Sequence, residues 1–200
     1  MKREELGELH YITPIVNVPS MLMHGILSNK LARKVGHVSC ASQDIQQRRA
    51  KVILPNGKPL HDYANLYFNA RNPMMHVLKD KHNELAVLAI SPDVLDIAGV
   101  IISDQNAARD YALFKPSPNG LEEIDPELVF AERWTHPNPI DYDRHKGIMC
   151  AEVLIPDKIG ADYILKVYVS SNRSRKALVD ILGSDESKLE VVINSHLFFQ

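Results

Sequence analysis

The chain has 200 residues, 45% of them hydrophobic and 24% charged, enough to bury a substantial core without disulfides or a structural metal. A formal net charge of -2 argues against a protein that coats duplex DNA electrostatically. There is no apolar run of the ~18 residues a membrane helix needs, and the charged stretch Met1 to Glu8 lacks the apolar segment of a signal peptide, so a cytoplasmic protein is expected.

In chain order, Leu9 to Thr13 has strand character and stops at Pro14. Asn17 looks like an N-cap, Pro19 suits a first helical turn, and Val18, Met21, Leu22 and Ile26 share one apolar face, with Gly25 as a left-handed cap. Residues 29–39 are basic and aperiodic, which predicts a loop, and a polar helix is expected over Ser42 to Lys51. Turn signals at Pro55, Asn56, Gly57 and Pro59 precede a strand over Tyr63 to Phe68, and Asn72-Pro73 opens a helix through Leu78.

Glu84 to Ile90 reads as a buried strand, Pro92 to Ala98 as a short helix and Val100 to Ser103 as another strand, followed by a turn over Asp104 to Ala108. Lys115 to Asp125 is predicted to be a loop and Trp134 to Pro139 a turn. Strands over Met149 to Ile155 and Ile164 to Ser170, a helix over Arg173 to Leu182 and a strand over Glu190 to Asn194 complete the chain. Without a regular βαβ alternation or any internal repeat, the expectation is one α+β domain spanning residues 1–200.

There is no G-x-G-x-x-G, P-loop, H-E-x-x-H or G-x-S-x-G, which argues against a Rossmann dehydrogenase or a kinase, and the nine histidines show no paired ligand spacing, so no metal is expected. Cys40 and Cys150 form no C-x-x-C pair and are read as packing residues. Three places stand out: His10 and Tyr11, Asn65 and Asn69, and Glu152, each a polar interruption of a strand-like segment. Glu152 is the sharpest, because Ala151, Val153, Leu154 and Ile155 around it are all apolar.

Several short runs coincide in order: Leu9-His10-Tyr11-Ile12-Thr13 with Asn17 and Gly25, then Ile45-Gln46-Gln47-Arg48-Arg49, Leu60-His61-Asp62-Tyr63, Leu66-Tyr67-Phe68 and Ala70-Arg71-Asn72-Pro73-Met74. Ser103-Asp104-Gln105-Asn106-Ala107 and Ala151-Glu152-Val153-Leu154 follow. Together they resemble the DarT family of DNA ADP-ribosyltransferase toxins over about residues 8 to 156.

The resemblance implies an ADP-ribosyltransferase fold of split, bent β-sheets with flanking helices. It implies NAD+ as substrate without a metal, single-stranded DNA as acceptor and a separately encoded DarG-type antitoxin as partner. Arg49 (or Arg48) and Glu152 become the catalytic candidates. His10 or Tyr11, Thr13, Asn17, Tyr67 and Arg71 become cofactor-binding candidates, and Arg48, Lys51, His61, Tyr63 and Met74 substrate-binding candidates. The modified base is guanine or thymine, with the Asn65 to Phe68 and Arg71 to Met74 variants favouring guanine. Alternatives are transfer to protein or RNA, NAD+ glycohydrolysis, and a non-catalytic nucleic-acid-binding module.

Overall fold

The computed structural model describes residues 1–183 and 189–200. The first half of the chain forms β1 (Leu9–Pro14), α1 (Val18–His24), β2 (Ile26–Leu27), α2 (Asn29–Ala32), α3 (Gln43–Arg49), β3 (Tyr63–Tyr67), α4 (Pro73–Val77) and β4 (Leu85–Ile90). There follow β5 (Ile101–Ser103), β6 (Phe114–Pro116), α5 (Pro126–Val129), α6 (Pro139–Ile148), β7 (Glu152–Pro156), β8 (Lys158–Ile159), β9 (Ile164–Val169), α7 (Asn172–Leu182) and β10 (Val191–Ile193).

Eight strands make one sheet in the order β10-β9-β4-β1-β3-β7-β5-β6, and β2 pairs with β8 in a separate ribbon. The sheet is α+β and nearly divided. β1 runs antiparallel to β4 through six residue pairs, and β3 to β7 through five. Between β1 and β3 a single pair, His10 with Tyr67, joins the two halves. Beyond that pair the facing strand edges part.

Strand alternation sorts the apolar residues onto two faces. Leu66, Leu88, Val153 and Val167 pack with Val18 of α1 and Leu178 and Leu182 of α7. Ile12, Tyr67, Val87 and Ala89 pack on the other face with Met75 of α4 and Phe198. All six residues of β4 are buried, as suits a strand covered on both sides.

Several expectations are corrected. Ile26 belongs to β2, paired with Ile159, rather than to the apolar face of α1. Gly25 ends α1 with φ 80, and an added Cβ would lie 2.1 Å from the Ile159 carbonyl oxygen, so β8 can approach only because the residue is glycine. Residues 29–39 are not all loop, because Ser28 caps the short helix α2 through the Leu31 amide. Asn17 stands at the cap position of α1 but makes no side-chain cap, its amide being committed elsewhere. α6 went unpredicted; its buried residues are His145 and Gly147, which leave no apolar stripe to read. The segment Met149 to Ala151 is the exit from α6, so β7 begins only at Glu152.

Candidate active site

Where β1 and β3 part, a cleft of about 1360 Å³ opens. Consecutive residues of both strands border it, Tyr11 to Pro14 on one side and Tyr63 to Asn65 on the other, because an unpaired strand edge presents both faces and its backbone. Residues of the segment from Val35 to Ser42 also border it. Asn17 holds that segment down: its Nδ2 donates to the Val38 carbonyl at 2.7 Å and to Thr13 Oγ1 at 3.2 Å, and the Val38 amide donates back to Asn17 Oδ1 at 3.0 Å.

Arg49 closes α3, whose N-terminus Ser42 caps through the Ile45 amide. It is the one buried residue of that polar helix, whereas Arg48 points to solvent at the cleft rim. Glu152 opens β7, wholly buried and in register between Tyr67 of β3 and Ser103 of β5. The two side chains meet fork to fork: Arg49 Nη1 donates to Glu152 Oε1 and Nη2 to Oε2, both at 2.9 Å. The Ala107 amide donates to Oε1 at 3.1 Å. A fully buried carboxylate is thereby satisfied by three donors.

Burial on its own would lower the proton affinity of Arg49; the Glu152 carboxylate outweighs it and the net shift is upward, so the guanidinium stays charged. Burial, with Glu152 next, raises the Tyr67 hydroxyl well above its ordinary range, and that hydroxyl donates to Met74 Sδ at 3.2 Å. Burial also pushes Tyr11 up to about 12. Both phenols are neutral hydrogen-bonding groups at pH 7. Both cysteines are free and border the cleft, and burial raises Cys150 to about 12, which leaves its thiol protonated and unreactive.

The remaining candidates separate into two groups. Tyr11, Thr13, Asn17, Tyr67, Arg48, His61, Tyr63 and Met74 all border the cleft. His10, Lys51 and Arg71 do not. His10 Nδ1 donates to the Phe68 carbonyl at 3.1 Å and its Nε2 lies 3.1 Å from Glu8 Oε1, so the ring pins the seam between the half-sheets. Arg71 donates to the carbonyls of His196 at 2.9 Å and Phe198 at 2.7 Å and lies over the Phe199 ring at 4.0 Å, anchoring the C-terminal segment.

One wall was missed by sequence reasoning. Asn106, Ala108 and Arg109, with Asp143, Lys146 and Gly147 of α6, line the cleft, whereas Glu152 lies wholly buried behind its surface. The Asn138-Pro139 start was the available signal for α6, since Asn138 accepts the Ile140 amide at 2.9 Å. Among the described residues no group of three or more histidine, cysteine, aspartate or glutamate side chains is placed to hold a metal ion.

A family model described as ssDNA thymidine ADP-ribosyltransferase, DarT, matches residues 10–199. The chain belongs to the DarT family. Among its relatives, a DNA ADP-ribosyl transferase-DNA ADP-ribosyl glycohydrolase fusion protein of Thermosipho africanus is 31% identical over 173 residues, 82% of this chain and 43% of the fusion protein. This chain therefore spans less than half the length of that relative. A DNA ADP-ribosyl transferase of Thermus sp. is 27% identical over 195 residues, 91% of each chain.

DarT-type structures carry the same fold. Thermosipho africanus DarTG in complex with ADP-ribose superposes with a TM-score of 0.85 at 27% identity, covering 96% of this chain and 51% of that one. Thermus sp. 2.9 DarT in complex with ADP-ribosylated ssDNA gives 0.83 at 24% identity over 98% and 97% of the two chains.

Proposed function

We propose that this DarT-family chain transfers ADP-ribose from NAD+ to a base of single-stranded DNA, with Arg49 and Glu152 as its catalytic pair. The observation that carries the reading is the buried, fork-to-fork Arg49–Glu152 contact at the point where the sheet divides. Support from outside the chain comes from Thermus sp. 2.9 DarT, whose structures hold NAD+ and ADP-ribosylated ssDNA.

In this reading the bond between nicotinamide and ribose breaks, nicotinamide leaves with the electron pair, and positive charge develops on the sugar. The Glu152 carboxylate faces that charge in a site with little water, where its field is strong. A base nitrogen attacks the anomeric carbon and loses its proton to the same carboxylate. Arg49 swings its fixed charge and paired donors between Glu152 and the incoming ligand, either the pyrophosphate or the acceptor base. Tyr11, Thr13 and Asn17 on one bank and Tyr67 on the other hold NAD+ in the reacting geometry, which by itself accounts for a large share of the acceleration.

Arg48, His61, Tyr63 and Met74, placed along the cleft, serve the strand in this proposal. A cytoplasmic setting is part of the proposal; no helix of the described residues is long and apolar enough to cross a membrane. A DarG-type antitoxin encoded separately is the proposed partner; in the Thermosipho africanus relative the transferase and glycohydrolase share one polypeptide. Expression of the wild type alone is expected to arrest growth.

The test is incubation with NAD+ and a mixed-sequence single-stranded oligonucleotide, followed by mass analysis. The expected result is a gain of one ADP-ribose unit; digestion then names the base, thymidine being the one in the family's description and guanine the one the sequence variants favour. Nicotinamide release without an adduct on DNA would overturn the proposed acceptor.

A further inference from the structure

The Glu152 carboxylate is held from two sides that differ in kind: Arg49 reaches it on a long, jointed side chain, Ala107 with a backbone amide. Its two oxygens are unequal as a result. Oε1 accepts from Arg49 Nη1 at 2.9 Å and from the Ala107 amide at 3.1 Å, whereas Oε2 accepts from Arg49 Nη2 at 2.9 Å and, among the described residues, from nothing else. In the proposed reaction Arg49 turns towards the ligand, which frees Oε2 and leaves the amide alone on Oε1. A wholly buried carboxylate then keeps its direction only as well as that amide keeps its own.

The turn that carries the amide is pinned at three points. Ser103, wholly buried at the end of β5 and in register with Glu152, donates its hydroxyl to the Gln105 carbonyl at 2.8 Å and so folds the chain back directly after the strand. The Asn106 amide donates to the Gly147 carbonyl at 3.0 Å, and Asn106 Oδ1 accepts the Ala108 amide at 2.9 Å, which commits the backbone on both sides of Ala107. A donor fixed in advance needs no reorganisation while the reaction proceeds. We propose that Ser103 is a positioning residue: by holding the Gln105 carbonyl it aims the Ala107 amide at Glu152 Oε1, which stays anchored while Arg49 is away, and Oε2 becomes the oxygen that meets the developing charge. Ser103 does not border the cleft and bonds the turn rather than the carboxylate, so it acts through Ala107. The inference rests on the reaction proposed above, in which Arg49 leaves Glu152.

The test compares wild type, Ser103→Ala and a protein whose residue-107 amide is replaced by an ester, made by incorporating the hydroxy-acid analogue of alanine, which deletes one N–H and keeps the side chain. Transfer to a single-stranded oligonucleotide is followed in the steady state with NAD+ varied, well below the unfolding midpoint of each protein. The ester is expected to lower kcat about tenfold to a hundredfold and Ser103→Ala about tenfold, both with KM for NAD+ within about twofold of wild type. In a Glu152→Gln background, where the charge that the amide positions is gone, Ser103→Ala is expected to slow the residual transfer by less than about twofold. A lower unfolding midpoint with wild-type kcat in the ester protein would mean that the amide only stabilises the fold, and it overturns the inference. A loss from Ser103→Ala as large in Glu152→Gln as in wild type overturns it too, and a loss in the ester protein without one in Ser103→Ala overturns the role of Ser103. A wild type that transfers nothing overturns the proposed reaction and this inference with it.

Discussion

Glu152 could be singled out in the sequence because a carboxylate among Ala151, Val153, Leu154 and Ile155 needs a partner, yet nothing in the chain said that the partner lies 103 residues away. The price of this arrangement is a buried ion pair whose members depend on each other. Replacing Arg49 or Glu152 singly by alanine is expected to lower unfolding stability by about 3–5 kcal/mol, and the double replacement by less than the sum of the two, measured by urea unfolding. Loss of activity in Glu152→Ala therefore has to be judged alongside folding, and Glu152→Gln is the better probe. Glu8 carries a pH signature at the same scale. A hydrogen bond from His10, opposed by burial and helped by Tyr168 and then Lys166, lowers its carboxyl from 4.5 to about 2. Its contribution to stability is present above pH 4.5 and lost as pH falls towards 2. Thermal unfolding should show Glu8→Gln less stable than wild type at pH 6, with the gap closing through that window.

At the level of elements, strands were legible wherever alternation or a continuous apolar run set them apart, as in β4, and helices wherever one face is apolar, as in α7 with Leu178 and Leu182 buried. α6 escaped because it docks through a glycine and a histidine. Its Gly147 lies so close to the preceding turn that an added Cβ would stand 2.7 Å from Arg109 Cδ and 2.8 Å from Gln105 Oε1, and the Gly147 carbonyl accepts the Asn106 amide at 3.0 Å. Ala107, next in that turn, donates its amide to Glu152. Gly147→Val is expected to displace the turn and lower kcat by about tenfold to a hundredfold, with KM for NAD+ nearly unchanged, in steady-state kinetics. Arg71 makes the complementary case. Its resemblance to a cofactor-binding position is outweighed by its bonds to the His196 and Phe198 carbonyls, so Arg71→Ala should lower the thermal midpoint while leaving KM for NAD+ in place.

For the whole molecule, α+β composition was readable but strand order was not. Only β5–β6 and β9–β10 are neighbours both in sequence and in the main sheet; every other pairing there joins strands distant in the chain, and such long-range pairing leaves no local pattern. The short-run resemblance supplied what periodicity lacked, because runs scattered from Leu9 to Leu154 come together only around the division between β1 and β3. That division makes the cleft, and Arg49 of α3, which borders it, reaches inward to the buried Glu152 of β7. The measurement that tests this most directly is transfer of ADP-ribose to single-stranded DNA by Glu152→Gln, run beside NAD+ binding and thermal unfolding of the same protein. The account predicts a folded protein that binds NAD+ and transfers at least about 10²-fold more slowly than wild type. Transfer at the wild-type rate would contradict it.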